Sequence, residues 1–154
     1  LLAEQAQAVR QMFERIPFNQ ALGIELDEIS SSRVVMHLPM KPELVGNFVH
    51  GILHGGVIAS LLDVAGGAMA MLGAFDKHRH LTMQERAARL SRLGTIDLRI
   101  DYMRPATPRA TIRVRAECHH ITRSVAFVRA IASDGDETRP VATATGTFTV
   151  EDRR

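Results

Sequence analysis

Gly55-Gly-Val-Ile-Ala-Ser-Leu-Leu-Asp63-Val-Ala-Gly-Gly-Ala-Met-Ala-Met-Leu-Gly-Ala-Phe75 runs for 21 residues with a single charge, Asp63. Length and hydropathy alone suit a membrane span. Five glycines, at 55, 56, 66, 67 and 73, and a central carboxylate that costs roughly 2.5–3.5 kcal/mol to insert argue against one. The stretch reads instead as a helix buried in a core. Ile58, Leu61, Leu62, Ala65, Met69 and Leu72 make its oily side, whereas Asp63 has Ala59, Ser60, Gly66, Gly67 and Ala70 as helical neighbours. A carboxylate among such small residues lets another backbone, or a narrow ligand, come close.

The flanking sequence supplies elements to cover that helix. Val9, Met12, Phe13 and Ile16 predict a leading helix over 2–16 that Pro17 stops. Residues 24–29 and 33–38 read as a hairpin about the Ser30-Ser31-Ser32 turn. Residues 40–53 lack a period but hold Leu44, Val45, Phe48, Val49, Ile52 and Leu53, so this loop is expected to pack against something. Thr82 and Glu85 form a capping box for a second, amphipathic helix carrying Met83, Ala87 and Leu90. Four strands follow, over 95–103, 110–121, 124–133 and 141–150. The expected class is α+β: an antiparallel six-stranded sheet around a long central helix, with a leading helix over 1–22 and an extra helix before strand three. A single domain over 23–154 accommodates it.

Composition narrows the function. With 154 residues, 45% hydrophobic and 23% charged, the chain builds a real core. A net charge of +2 argues against bulk nucleic-acid binding. Seventeen of the 19 basic residues are Arg, the side chain whose planar fork grips phosphate, so a small phosphorylated ligand stays open. One cysteine, Cys118, requires no oxidising compartment, and the first ten residues do not read as a signal peptide, so a cytoplasmic setting is the expectation.

The chemistry concentrates at His54-Gly55-Gly56 and Asp63. A helix N-terminus offers unpaired N–H groups and partial positive charge, and glycine lets a carbonyl oxygen approach. Asp63 lies eight residues on, about 12 Å along the axis, too far to act on a carbonyl held at Gly55 of the same chain. If both act on one substrate, they come from different subunits. The pairs His50/His54, His78/His80 and His119/His120 have no Cys or carboxylate at ligand spacing, so no metal is expected. Neither a nucleophile elbow, a P-loop nor a dinucleotide fingerprint is present, and no cofactor is called for.

His54-Gly55-Gly56-Val57 through Leu62-Asp63, the strand Thr95-Ile96-Asp97 leading to Tyr102-Met103-Arg104-Pro105-Ala106, Arg123-Ser124, and Ala142-Thr143-Ala144-Thr145-Gly146 together resemble the PaaI-type branch of the hotdog-fold acyl-CoA thioesterases. The likeness spans residues 23–150. It implies a hotdog fold, a dimer or dimer of dimers, and hydrolysis of a fatty or aryl acyl-CoA at a site shared between subunits. Carried over by residue, it implies that the Gly55 N–H polarises the thioester carbonyl, His54 frames it, the partner's Asp63 is nucleophile or general base, and Thr95 orients Asp63 or the water. It further implies substrate contacts at Gly56, His50, Asn47, Arg123 and Ser124, the last two near the pantetheine and phosphates. The family's Asn, six residues before the histidine, falls here on Phe48, with Asn47 the nearest amide. Residues 76–93 exceed the usual link and read either as a lid that would bring Arg79, Arg86, Arg89 and Arg92 to CoA phosphates or as a solvated helix flank. The rival readings are a dehydratase of the same fold, which would want a catalytic His in a different frame, and a non-catalytic acyl-CoA sensor.

Overall fold

The long apolar stretch is a 23-residue helix, α3 (Gly55–Lys77), with its oily side buried as the periodicity requires. The computed structural model describes residues 3–150, apart from the Leu90 side chain. Leu2, the Leu90 part of the second apolar stripe and residues 151–154 of the expected domain lie outside the described residues. Before α3 come α1 (Ala3–Glu14), α2 (Pro17–Leu22), β1 (Glu25–Ile29), β2 (Val34–Leu38), a 3₁₀ turn (Pro42–Leu44), β3 (Val45–Asn47) and β4 (Ile52–Leu53). After it come α4 (Met83–Leu90), β5 (Gly94–Tyr102), β6 (Ile112–Ile121), β7 (Val125–Ser133) and β8 (Ala142–Thr149).

Six strands form one antiparallel sheet in the order β1-β2-β6-β7-β8-β5, and β3 and β4 form a separate two-stranded ribbon. The sheet's inner face lies on α3 and is small along its centre. Val34, Ala116, Ala130, Ala144 and Ile100 stand in register across five strands. Such a row lets the sheet curve closely round a helix that is itself rich in Gly and Ala. The outer face is polar and carries ion pairs such as Arg115–Glu137 at 3.1 Å and Arg113–Asp27 at 3.3 Å.

The glycines of α3 have a steric purpose. Phe148, on β8, is buried with its ring in a slot between Gly66, Gly67 and Gly146. A Cβ on Gly66 would lie 2.6 Å from the ring Cζ. Overpacking there costs ~1–3 kcal/mol against the ~1 kcal/mol that Ala gains over Gly in a helix. Gly66→Ala is therefore expected to destabilise by about 1 kcal/mol in urea unfolding, and trimming Phe148 to Leu in the same chain should recover part of the loss.

Three local expectations are corrected. Pro17 ends α1 but also opens α2 at its first position, where a missing N–H costs nothing; Gly23, at φ 79°, closes α2 in the left-handed conformation. In α1 only Val9 and Phe13 enter the core, while Met12 and Ile16 stay partly exposed, because the helix rests on α3 and β1 by one narrow stripe. The loop over 40–53 buries Leu44 and Leu53 but leaves Phe48 at 89% and Val49 at 70% exposure on the ribbon's tip, so this chain alone does not cover them. As expected, Thr82 and Glu85 close a capping box on α4. Of the arginines offered to a lid, Arg86 is buried: its guanidinium donates to the Leu81 and Arg79 carbonyls and lies over the Phe75 ring. It anchors the α3–α4 turn and has no reach to a phosphate.

Candidate active site

α3 begins against the β3–β4 ribbon, and glycine permits the contact. A Cβ on Gly46 would stand 2.7 Å from His54 Cα, and the His54 N–H donates to the Leu44 carbonyl at 2.9 Å. His54 is the N-cap, and its Nδ1 accepts the Gly56 N–H at 2.8 Å. That bond assigns the ring tautomer: Nδ1 is the acceptor, and the proton of the neutral ring sits on Nε2. Among the described residues no group accepts the Gly55 N–H, one of the donors a helix start leaves unpaired.

Beside this helix start is a cleft of about 420 Å³ lined by Asn47, Gly55, Ile58, Tyr102, Met103 and Pro105, among others. Asn47 stands on its wall with its side-chain oxygen occupied, accepting the N–H groups of Val49 and His50 at 3.1 and 3.2 Å. Its structural task is to turn the ribbon. His50 is exposed in that turn.

Asp63 is half-buried two turns further along α3, and Thr95 Oγ1 donates to its Oδ1 at 2.8 Å. The strand explains that reach. β5 takes an extra residue between Thr95 and Asp97, and Thr95 pairs with the inward-facing Phe148, so its hydroxyl is aimed at α3. The bulge that brings Thr95 to Asp63 left no mark in the sequence. Arg123 and Ser124 sit in the β6–β7 turn. There the Ser124 carbonyl accepts the Val150 N–H at 3.0 Å, at the end of β8 that pairs with the start of β5.

The sequence-predicted residues thus fall into two groups within one chain. His54, Gly55, Gly56, Asn47 and His50 gather at the start of α3, whereas Asp63, Thr95, Arg123 and Ser124 lie toward the other end of β5.

Two features escaped sequence reasoning. The Tyr102 hydroxyl donates to the Gly55 carbonyl at 2.8 Å. The one signal for it was that the chain's single tyrosine closes the strand begun by Thr95. The other is the anchor of the 103–108 segment that walls the cleft. Asp134 accepts two bonds from Arg104, at 2.9 and 2.5 Å, and one from the Thr107 N–H at 2.7 Å. The Arg104 guanidinium holds the Asp134 carboxyl well below the usual carboxylate range. A depressed folded-state value contributes stability fully above the ordinary range, and that contribution is lost as pH falls from there through the folded value. Asp134→Asn should therefore lower Tm at neutral pH, and the gap to wild type should narrow in thermal melts as pH drops below about 4.

Among the described residues no cluster of three or more His, Cys, Asp or Glu side chains could hold a metal ion. By length and composition α3 could cross a membrane, but it is the core helix, mostly covered by the sheet.

Comparison with known proteins agrees with this architecture. The family model of the thioesterase superfamily matches residues 50–141, which include His54, Gly55, Asp63 and Thr95. The medium/long-chain acyl-CoA thioesterase YigI of Salmonella typhimurium is 47% identical over 107 residues, 68% of this chain and 69% of that protein, and YigI of Escherichia coli K12 matches equally. A crystal structure from Shewanella oneidensis, described as related to the thioesterase superfamily, superposes with a TM-score of 0.88 at 35% identity, covering 96% of both chains. A thioesterase family protein from Silicibacter pomeroyi does so with a TM-score of 0.74 at 30% identity, covering 94% of this chain and 96% of that one. The central helix wrapped by six antiparallel strands is the hotdog fold, and by sequence and structure together the chain belongs to the thioesterase superfamily.

Proposed function

We propose that the protein hydrolyses the thioester of medium- or long-chain acyl-CoA, taking water and releasing free acid and CoA thiol. The observation that carries this reading is Asp63, a carboxylate midway along an otherwise apolar helix and held by the Thr95 hydroxyl at 2.8 Å. Structural needs do not explain it, because the helix packs through its oily side and Asp63 has no basic partner among the described residues. The named relatives supply the acyl-CoA class.

In this reading the thioester carbonyl oxygen sits at the start of α3. The Gly55 N–H and the Nε2–H of His54 meet the negative charge as the tetrahedral intermediate forms. Asp63 delivers the attack, as base on a water or as the nucleophile itself, and Thr95 fixes the carboxylate's orientation. Collapse of the intermediate expels the CoA thiolate, which takes up a proton; where Asp63 is the nucleophile, water then cleaves the acyl anhydride left on it, releasing the free acid and restoring the carboxylate.

Gly55 and Asp63 of one chain are about 12 Å apart along the axis, so the site combines Gly55 of one protomer with Asp63 of a second. The nine-residue edge strand β5 supports association. Its outer edge has no partner strand among the described residues, and Ile96, Tyr102 and Met103 are half-exposed on it or just beyond. Phe48 and Val49, uncovered at the ribbon tip, support it as well.

The test is release of free CoA by the purified protein over a panel of acyl chain lengths. Turnover of medium and long chains supports the reading. Tight acyl-CoA binding without turnover would replace it with the sensor reading.

A further inference from the structure

We propose that Tyr102 is a positioning residue that fixes the Gly55–Gly56 peptide and, through the Gly56 N–H bonded to His54 Nδ1, the aim of the His54 ring. The proposal rests on the acyl-CoA hydrolase reading for what that ring does, but the clamp itself stands on geometry.

The peptide joining Gly55 to Gly56 is held at both ends. Its carbonyl oxygen accepts the Tyr102 hydroxyl at 2.8 Å, and its N–H donates to His54 Nδ1 at 2.8 Å. Two successive glycines have the widest backbone freedom of any residue pair, and they sit where a helix has fewest internal bonds. Without both bonds the plane of this peptide, and with it the hold on the His54 ring, would be loosely set; the Gly55 N–H belongs to the preceding peptide, whose carbonyl on His54 already accepts the Val57 N–H at 3.0 Å. An oxyanion donor is effective only when it is aimed before the charge develops.

The ring does a second job. Its edge and hydroxyl lie 3.4–3.6 Å from where a Gly55 side chain would project, so Tyr102 fills the space that glycine leaves beside the helix start. Tyr102 is 53% exposed, and core packing does not account for its place.

Its position on β5 gives the contact a wider consequence. Thr95, near the start of the strand, holds Asp63; Tyr102, at its end, holds Gly55. One strand therefore sets the orientation of both reacting halves of α3, the carboxylate and the donor, and a shift of β5 would move the two together.

Tyr102→Phe keeps the ring and removes the hydroxyl. The expected result is a fall in kcat of about tenfold with KM within about twofold of wild type, since the lost order matters to the transition state and not to the bound thioester. Thermal unfolding should stay close to wild type. In ¹⁵N spectra the Gly56 amide should exchange with solvent at least about fivefold faster, because its clamp has opened. Unchanged kcat with unchanged Gly56 exchange overturns the proposal. So does a rise in KM alone, which would make Tyr102 a substrate contact, and so does a kcat loss that merely follows a lowered Tm. If wild-type protein releases no CoA from any acyl-CoA, the hydrolase reading fails, while Gly56 exchange in the two proteins still decides whether the clamp exists.

Discussion

Asp63→Asn should lower kcat for acyl-CoA by at least ~100-fold, the scale of lost general-base or nucleophilic action, and leave the protein as stable as wild type or more so. Asparagine keeps the size of the side chain, and its carbonyl still accepts the Thr95 hydroxyl that lies 2.8 Å from Oδ1. The local fold is therefore preserved while the ability to take a proton or attack a carbonyl is lost. Steady-state CoA release and a thermal melt on the same preparation separate the outcomes. A stable variant with near wild-type turnover removes Asp63 from the chemistry, and a variant that fails only by unfolding makes it a structural anchor.

Gly55→Pro should be nearly as damaging for the complementary reason. Proline is well tolerated at the first position of a helix, and the residue before it, His54, already has the extended conformation proline demands, at φ −65° and ψ 133°. The substitution deletes the backbone N–H assigned to the oxyanion and leaves the helix intact. Loss of such a donor costs about 10²–10³ in kcat. The effect should appear in kcat, with circular dichroism and Tm little changed. A Gly55→Pro protein that is folded and active would place the oxyanion elsewhere.

Much of this site was legible in the sequence because it depends on residue types at helical spacing. Glycine at 55 and 56, and Asp63 eight residues after Gly55, are fixed relative to one another by the helix itself. Once 55–75 is read as a buried helix, their separation follows from its rise. Thr95 was found through resemblance to a family and not through geometry, since a β-bulge turns it toward Asp63 and bulges have no composition signature at that point. Tyr102 and the Arg104–Asp134 anchor were missed because each joins segments 30 or more residues apart, a distance over which residue spacing says nothing. Asn47 shows the converse. It lines the cleft, and its oxygen is also engaged by the backbone of its own turn, a local bond that Asn forms readily wherever a chain reverses.

The small residues tell a similar story at the level of packing. The apolar count of α3 announced a core helix, but the purpose of Gly66 and Gly67 became visible only with Phe148 lodged against them from the last strand. The strands expected over 124–133 and 141–150 are β7 and β8. The central Ala row, by contrast, is a property of the sheet's register, which pattern alone does not specify.

The claim that one site draws Gly55 from one protomer and Asp63 from another is tested most directly by complementation. Asp63→Asn and Gly55→Pro chains, each inactive alone, would be unfolded together, refolded as a mixture and assayed for CoA release. In a symmetric dimer with shared sites, every hybrid has one site bearing both lesions and one bearing neither. An equimolar mixture should then recover about a quarter of wild-type activity, half of the dimers being hybrids with half of their sites intact. If both residues served the same chain's site, every site in the mixture would carry a lesion. Activity that stays at the level of the separate variants, with hybrids shown to be present by native mass spectrometry, would contradict the shared site.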